Sequence, residues 1–215
     1  MYIGILGSGA VGQSLGAGFV ARGHDVVIGS RDPAKLADWV GRHDGHSGTA
    51  AAASFADTAA RADLVVLATL WTGTEAALQL AGAENFAGKV VIDATNPLLF
   101  APGKPPALAL GHVDSGGEQV QRWLPAAKVV KAFNTVGHAH MVDPRFPGGP
   151  PDMFIGGNDN EAKRTVTGIT TAFGWNTIDL GDISAARLLE PLCLVWVLYG
   201  LRTQGWNHAF KLLKQ

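Results

Sequence analysis

The strongest constraint on this 215-residue chain lies in its first dozen positions. A short apolar run, Tyr2–Leu6, leads straight into Gly7-Ser8-Gly9-Ala10-Val11-Gly12, and small and apolar residues then recur at helical spacing over Val11–Arg22. Strand, glycine turn and helix in that order open a dinucleotide-binding βαβ unit. Gly7 permits the tight turn, Gly9 lets backbone approach a pyrophosphate, and Gly12 lets helix and strand pack closely. The helix N-terminus adds unpaired N–H groups and partial positive charge for the same anion.

The remaining pattern extends this unit. Val26–Gly29, Leu64–Ala68, Val90–Asp93 and Val129–Phe133 are apolar runs bounded by turn signals, with shorter ones at Met153–Ile155 and Thr177–Leu180. Near-continuous apolar strands belong to sheets covered on both faces. Their alternation with helical segments predicts the α/β class, a doubly wound Rossmann-type parallel sheet with right-handed crossovers. Asp32 is expected to cap a helix that Pro33 opens and that carries Leu36, Trp39 and Val40. Glu161–Phe173 reads as a further amphipathic helix, and Pro97–Pro106 and Asp143–Pro151 read as exposed loops.

Composition narrows the partners. Lys and Arg number 17 against 18 Asp and Glu, a net charge of -1, so no cationic excess exists to neutralise phosphates of nucleic acid or a membrane surface. The single Cys193 excludes an intrachain disulfide and fits a reducing, cytoplasmic setting. Met1 and Tyr2 lead directly into strand, so no leader is expected. Charged residues are 16% of the chain, below the roughly 25% of average domains. From Ser184 a helical stretch runs towards Leu213, and its uncharged segment Pro191–Leu201 is shorter than the about 20 residues a bilayer needs. Leu192, Val195, Trp196 and Tyr199 make one apolar face, while Cys193, Leu194, Val197, Leu198 and Leu201 fill much of the rest. A helix apolar nearly all round is buried on several sides, which predicts a homodimer.

The end of the second strand selects the dinucleotide. NAD sites place a carboxylate there for the ribose 2′-hydroxyl, but this chain has Gly29-Ser30-Arg31 and no acid until Asp32. Arg31 can bind a 2′-phosphate by charge-assisted hydrogen bonds, Ser30 can donate another, and Lys35 stands one helical turn on. NADP(H) is therefore the expected cofactor; the alternative gives Asp32 the NAD role and leaves Arg31 solvated. Residues 1–180 then form an NADP-binding Rossmann-like domain, with residues 181–215 a C-terminal helical extension packed on it. Ligands in open α/β sheets bind beyond the carboxyl ends of strands, so Ala68-Thr69-Leu70-Trp71, Asp93–Pro97 and Lys131–His138 are expected to face the same crevice, with Trp71 available to pack on the cofactor.

Other patterns carry less. His43 and His46 lack a third metal ligand at matching spacing. Gly12-Gln13-Ser14-Leu15-Gly16 has the pattern of a hydrolase elbow but falls inside the first helix, so Ser14 reads as structural. Cys193 sits in an apolar helix where a thiolate is disfavoured.

Taken together, Gly7–Gly12, Gly23–Arg31, Val129–Thr135, Phe154–Asp159 and Gly181–Glu190 resemble the NADPH-dependent reductases of the deazaflavin coenzyme F-420. They are also similar to the reductase domain of six-transmembrane metalloreductases. The resemblance implies that Ser8, Ala10, Val11, Ser30, Arg31 and Lys35 serve the adenosine and phosphate side of NADP. It places Thr69, Leu70, Trp71, Asn96 and Asn134 near the nicotinamide. Thr69-Leu70-Trp71 departs from the Ile-Pro-Trp expected of archaeal members, which bears on F-420 as substrate more than on NADP.

The function expected is hydride transfer between NADPH and a small-molecule acceptor, a flavin or deazaflavin, with F-420 or a flavin as second substrate. That chemistry belongs to the two cofactors, so no catalytic side chain is assigned; His138 and His140 follow a strand end that faces the crevice, and replacing either by Ala is expected to lower turnover modestly, through positioning, without abolishing it. The alternatives are an NADPH-dependent β-hydroxyacid or imine reductase, with Lys211 or Lys214 as proton donor, and a non-catalytic NADPH-binding sensor.

Overall fold

The computed structural model describes residues 1–45 and 47–213. Five strands come first: β1 (Tyr2–Leu6), β2 (Asp25–Gly29), β3 (Ala50–Ala53), β4 (Leu64–Leu67) and β5 (Val90–Asp93). A small hairpin, β6 (Leu98–Leu99) and β7 (Ala107–Leu108), precedes β8 (Lys128–Lys131), β9 (Asp152–Gly157) and β10 (Asn176–Asp179). The main sheet runs β10-β9-β8-β5-β4-β1-β2-β3. Strands β1 to β5 and β8 are parallel, and the order reverses between β1 and β4, the position at which such sheets open a crevice.

Both faces are covered, as the apolar strands require. On one lie α1 (Ala10–Val20), α2 (Ala37–His43) and α6 (Asn160–Ala172), which contribute Leu15, Phe19, Trp39, Val166 and Ile169 to a core with Ile3 and Ile5. On the other lie α3 (Phe55–Arg61), α4 (Trp71–Ala81) and α5 (Gly116–Trp123), which bury Phe55, Ala59, Leu78 and Val120 with Leu6. The final helix, α7 (Ala186–Thr203), packs through Cys193, Trp196 and Val197 against Leu98 and Phe210.

Several expectations are corrected. The sheet is mixed: β9 is antiparallel to β8, with Lys131 opposite Gly156, and β10 runs parallel to β9. Residues 132–151 carry one short 3-10 turn, His138–His140, and no crossover helix, so the chain enters β9 from the carboxyl end of β8. The Pro97–Pro106 segment is exposed from Leu99 to Pro105, as expected, but it includes β6, which pairs with β7 just beyond it. Strand β3, an all-alanine edge strand on β2, had no apolar signature. Asp32 stands at the N-cap position before Pro33, as expected, but its side chain makes no capping bond and Pro33–Leu36 is a single 3-10 turn before α2.

Helix α7 stops ten residues short of Leu213. Gln204 takes a left-handed conformation with φ 53°, and the chain folds back, laying the Trp206 ring over Gly200. The faces of α7 also differ from the sequence pattern: Trp196 is buried, whereas Val195 and Tyr199 are each 56% exposed. Among the described residues, Ile183–Thr203 is long and apolar enough to cross a membrane by length and composition, and 44% of its apolar window is buried in this fold. The buried Glu190 lies on its inner face and anchors it to the sheet.

The core centres on Phe19, 1% exposed and in tilted contact with Phe173 at 4.9 Å. Phe19→Ala should cost about 3–5 kcal/mol, seen as a lower urea midpoint with an unchanged slope.

Candidate active site

The crevice is built by the carboxyl ends of β1, β2, β4, β5 and β8. Three glycines of the first turn are needed for different reasons. Gly7 has φ 126°, and a Cβ there would stand 2.3 Å from the Ala68 carbonyl oxygen at the end of β4. A Cβ on Gly12 would stand 2.0 Å from the Gly7 carbonyl oxygen, so the first turn of α1 presses on the glycine loop. Gly9 caps α1, and nothing lies within 4 Å of where its Cβ would be. No protein atom demands glycine at that position; the open cradle at a helix N-terminus suits a pyrophosphate.

The adjacent strand end supplies polar groups. Ser30, almost buried, places its hydroxyl 3.4 Å from that of Ser8 and accepts from the Asp32 N–H at 3.1 Å. Arg31 is exposed, and the exposed Lys35 ammonium stands 3.4 Å from the Asp32 carboxylate. The fold thus brings Ser8 and Ser30 together, with Ala10 exposed beside them and Val11 packed on the core. These groups fit an anion on the 2′ position of a ribose better than a bare hydroxyl.

The other end is built from side chains. Asn96 donates to the Asn134 carbonyl at 2.8 Å, and Asn134 Nδ2 donates to Asn96 Oδ1 at 3.0 Å and to the Leu189 carbonyl at 2.9 Å. The Asn134 Oδ1 atom is buried with no partner. Phe133 immediately before it has φ 62°, a strained value for a bulky residue, and it turns the chain at the end of β8. Thr69 shares a 2.8 Å hydrogen bond with Thr74, and Leu70 is 85% exposed at the start of α4. Trp71 stacks on Trp123 at 5.6 Å and packs over Gly116, so its ring is turned onto α5.

Beneath the asparagines lies a cluster the sequence reading missed. Lys131 is fully buried, with its ammonium 2.7 Å from Asp93 Oδ2, 2.8 Å from Glu190 Oε1 and 2.9 Å from the Thr95 carbonyl. The Asp93 contact is an ion pair without directed hydrogen-bond geometry. Asp93 Oδ1 accepts from the Thr95 N–H and hydroxyl, and Glu190 accepts from the Gly116 and Gly117 N–H groups at the start of α5. Burial opposes the lysine's charge, yet the two carboxylates outweigh it and raise its pKa above the ordinary value. The available signal was three charges, each bordering an otherwise uncharged run: Val90–Ile92, Val129–Val130 and Pro191–Leu201.

The histidines stand apart. His138 is exposed, 3.4 Å from the Ser14 hydroxyl, and His140 shares a 2.9 Å hydrogen bond with Asn207. The His43–His46 pair extends outside the described residues at His46; His43 itself rests against Trp39. Shallow concavities of about 630 and 340 Å³ lie near Arg122 and near His138, away from the glycine turn.

A glycine turn at the switch point, an acid-free β2 end and polar strand ends opposite define a dinucleotide-dependent oxidoreductase fold. Residues 2–97 match the family described as NADP oxidoreductase, coenzyme F-420-dependent. The chain is 31% identical over 201 residues to the F-420-dependent NADP reductase of Methanocaldococcus jannaschii, covering 89% of each. It is 32% identical over 193 residues to the metalloreductase STEAP3 of Rattus norvegicus, covering 89% of this chain but 36% of that protein, so it spans about a third of the metalloreductase. A crystal structure from Arthrobacter sp. FB24, provisionally described as an F-420-dependent NADP-reductase, superposes with TM-score 0.92 at 44% identity over 99% of each chain. The chain belongs to the F-420-dependent NADP oxidoreductase family and is an NADP-dependent oxidoreductase.

Lys131→Met should cost about 3–5 kcal/mol at pH 7, because it leaves two buried carboxylates without their cation. A raised folded pKa means the lysine's contribution is complete below its ordinary pKa and is lost as pH rises through the folded value. Urea denaturation should therefore show a constant gap between parent and variant from neutral to mildly alkaline pH, narrowing only in strongly alkaline solution.

Proposed function

We propose that this chain transfers hydride between NADPH and a flavin or deazaflavin of the F-420 type, with both flat rings held in the crevice over β1, β4, β5 and β8. The observation that carries the reading is the open Gly9 cradle beside a β2 end that offers Ser30 and Arg31 in place of a carboxylate. In this reading the turn from Gly7 to Gly12, including Ser8, Ala10 and Val11, holds the pyrophosphate. Ser30, Arg31 and Lys35 receive the 2′-phosphate, and Thr69, Leu70, Trp71, Asn96 and Asn134 flank the nicotinamide. The unit doing this is residues 1–180, with residues 181–215 as its helical extension.

NADPH, when bound, would supply the hydride, and the proton that completes reduction of the acceptor would come from solvent, with no acid–base relay from the protein. The chain's task is to hold the rings at contact distance and exclude water. The exposed His138 and the Asn207-bound His140 are consistent with that division of labour. An imine or hydroxyacid reductase would need a proton donor: Lys211 is engaged by the Pro150 carbonyl at 2.7 Å, and Lys214 lies outside the described residues. Steady NADPH oxidation with F-420, FMN, FAD or quinones distinguishes an enzyme from a protein that only binds NADPH.

The outward face of α7 supports a homodimer, with Leu188, Val195, Tyr199 and Leu201 all exposed. A two-fold pair is the commonest closed assembly that covers such a face, and a cytoplasmic setting suits the single buried cysteine. Light scattering at micromolar protein should give twice the 22.4 kDa chain mass; a chain-sized particle that oxidises NADPH would refute the dimer.

Arg31→Ala should abolish most of the preference for NADPH over NADH, a loss on the order of 10- to 100-fold in relative affinity. Equal dissociation constants for the two cofactors in the unmodified protein would end the NADP assignment of this site.

A further inference from the structure

We infer that the buried cluster of Asp93, Lys131 and Glu190 positions the Asn96–Asn134 pair and so sets the nicotinamide end of the crevice; the functional part of this rests on the reading above. The two groups form tiers that share the same three chain segments. In the lower tier Lys131 ties Asp93 and the Thr95 carbonyl, at the end of β5, to Glu190 on α7. In the upper tier Asn96, the next residue after Thr95, exchanges hydrogen bonds with Asn134, which also holds the carbonyl of Leu189, the residue before Glu190. Every upper contact is thus one to three residues along the chain from a lower one.

The coupling is stiff. The ammonium donates to the Thr95 carbonyl at 2.9 Å and lies within 2.8 Å of a carboxylate oxygen of both Asp93 and Glu190. Thr95 is pinned through both its N–H and its hydroxyl to Asp93. Between Lys131 and Asn134 the left-handed Phe133 leaves no slack, since its N–H points to Met153 Sδ at 3.1 Å. Glu190 also fixes Gly116, on which the Trp71 ring packs. Three positioning residues therefore hold two asparagines and a tryptophan without lining the crevice themselves.

The test is Glu190→Gln, which keeps shape but sets an amide N–H₂ against either Lys131 or the N–H groups of α5. Thr95→Val is the milder companion, removing only the hydroxyl bond to Asp93. Without any cofactor, the side-chain amide resonances of Asn96 and Asn134 should shift in both variants, while that of Asn85, on the Ala81 carbonyl, stays in place. With NADPH and whichever of F-420, FMN or FAD the unmodified protein reduces, turnover should fall about 10- to 100-fold, while the NADPH dissociation constant changes less than about tenfold because the adenosine side is untouched. Unmoved Asn96 and Asn134 resonances in a folded variant would overturn the inference, as would unchanged turnover. If Glu190→Gln does not fold, Thr95→Val decides by the same two measurements. Failure of the unmodified protein to bind NADPH would instead defeat the functional reading and leave the resonances to judge the positioning.

Discussion

Lys131 carries a charge with no route to water, and the half of the sheet beyond β4 is organised around its satisfaction. Taking an ammonium out of water costs several kcal/mol, and such a cluster repays this only when every donor is used. Here the acceptors come from β5, the loop after it and α7. The second carboxylate is further stabilised at the start of α5, where two backbone N–H groups and the helix dipole meet it. Apolar residues of equal volume would stabilise a core as well. What they would lack is direction. An ion cluster with two carboxylates and a carbonyl in fixed places aligns four elements at once, and all four meet beside the crevice.

The two ends of that crevice are consequently different materials. At the glycine-turn end the surface is the polypeptide itself: Gly7 and Gly12 are forced by contacts with carbonyl oxygens, and Gly9 is open to whatever approaches. Charge there is supplied by the exposed Arg31 and Lys35, whose attraction is screened by salt. At the opposite end the polar groups are buried side chains, already paired with one another, and Asn134 Oδ1 is left without a partner. The first end is shaped by backbone, the second by a few amide contacts.

That contrast explains which parts were legible in the sequence. The glycine turn spans six consecutive residues between an apolar run and a helical pattern, so its placement between β1 and α1 was readable. The buried strands announced themselves as Leu64–Leu67 and Val90–Asp93. Strand β3 did not, because four alanines have no strand signature and pair at an edge only through backbone. The direction of β9 was hidden because it follows from a missing crossover helix. The facing of Trp196 was hidden too: a helix apolar on nearly every side has no periodicity to reveal which side turns inward. The charged cluster was the least legible, since Asp93 lies 38 residues from Lys131 and Glu190 a further 59 along the chain. Only tertiary packing brings such groups together.

Helix α7 shows why that hidden packing matters for function. Its inner face is tied at several levels: Glu190 to Lys131, the Leu189 carbonyl to Asn134, and Trp196 against Gly137, where a Cβ would stand 2.9 Å from the ring. Cys193 lies on the same face, and burial pushes its thiol up to about 12, so it acts there as an inert packing group. Pro191 interrupts the ladder within the second turn, because it offers no N–H to the Arg187 carbonyl. The helix is therefore weakest in its own hydrogen bonding beside the residues that grip the crevice, and it relies on outside contacts to hold its line. Its outer face is apolar and exposed. A surface that covers this face loads the same short segment that Asn134 grips through the Leu189 carbonyl, which links the packing of α7 to the asparagine pair.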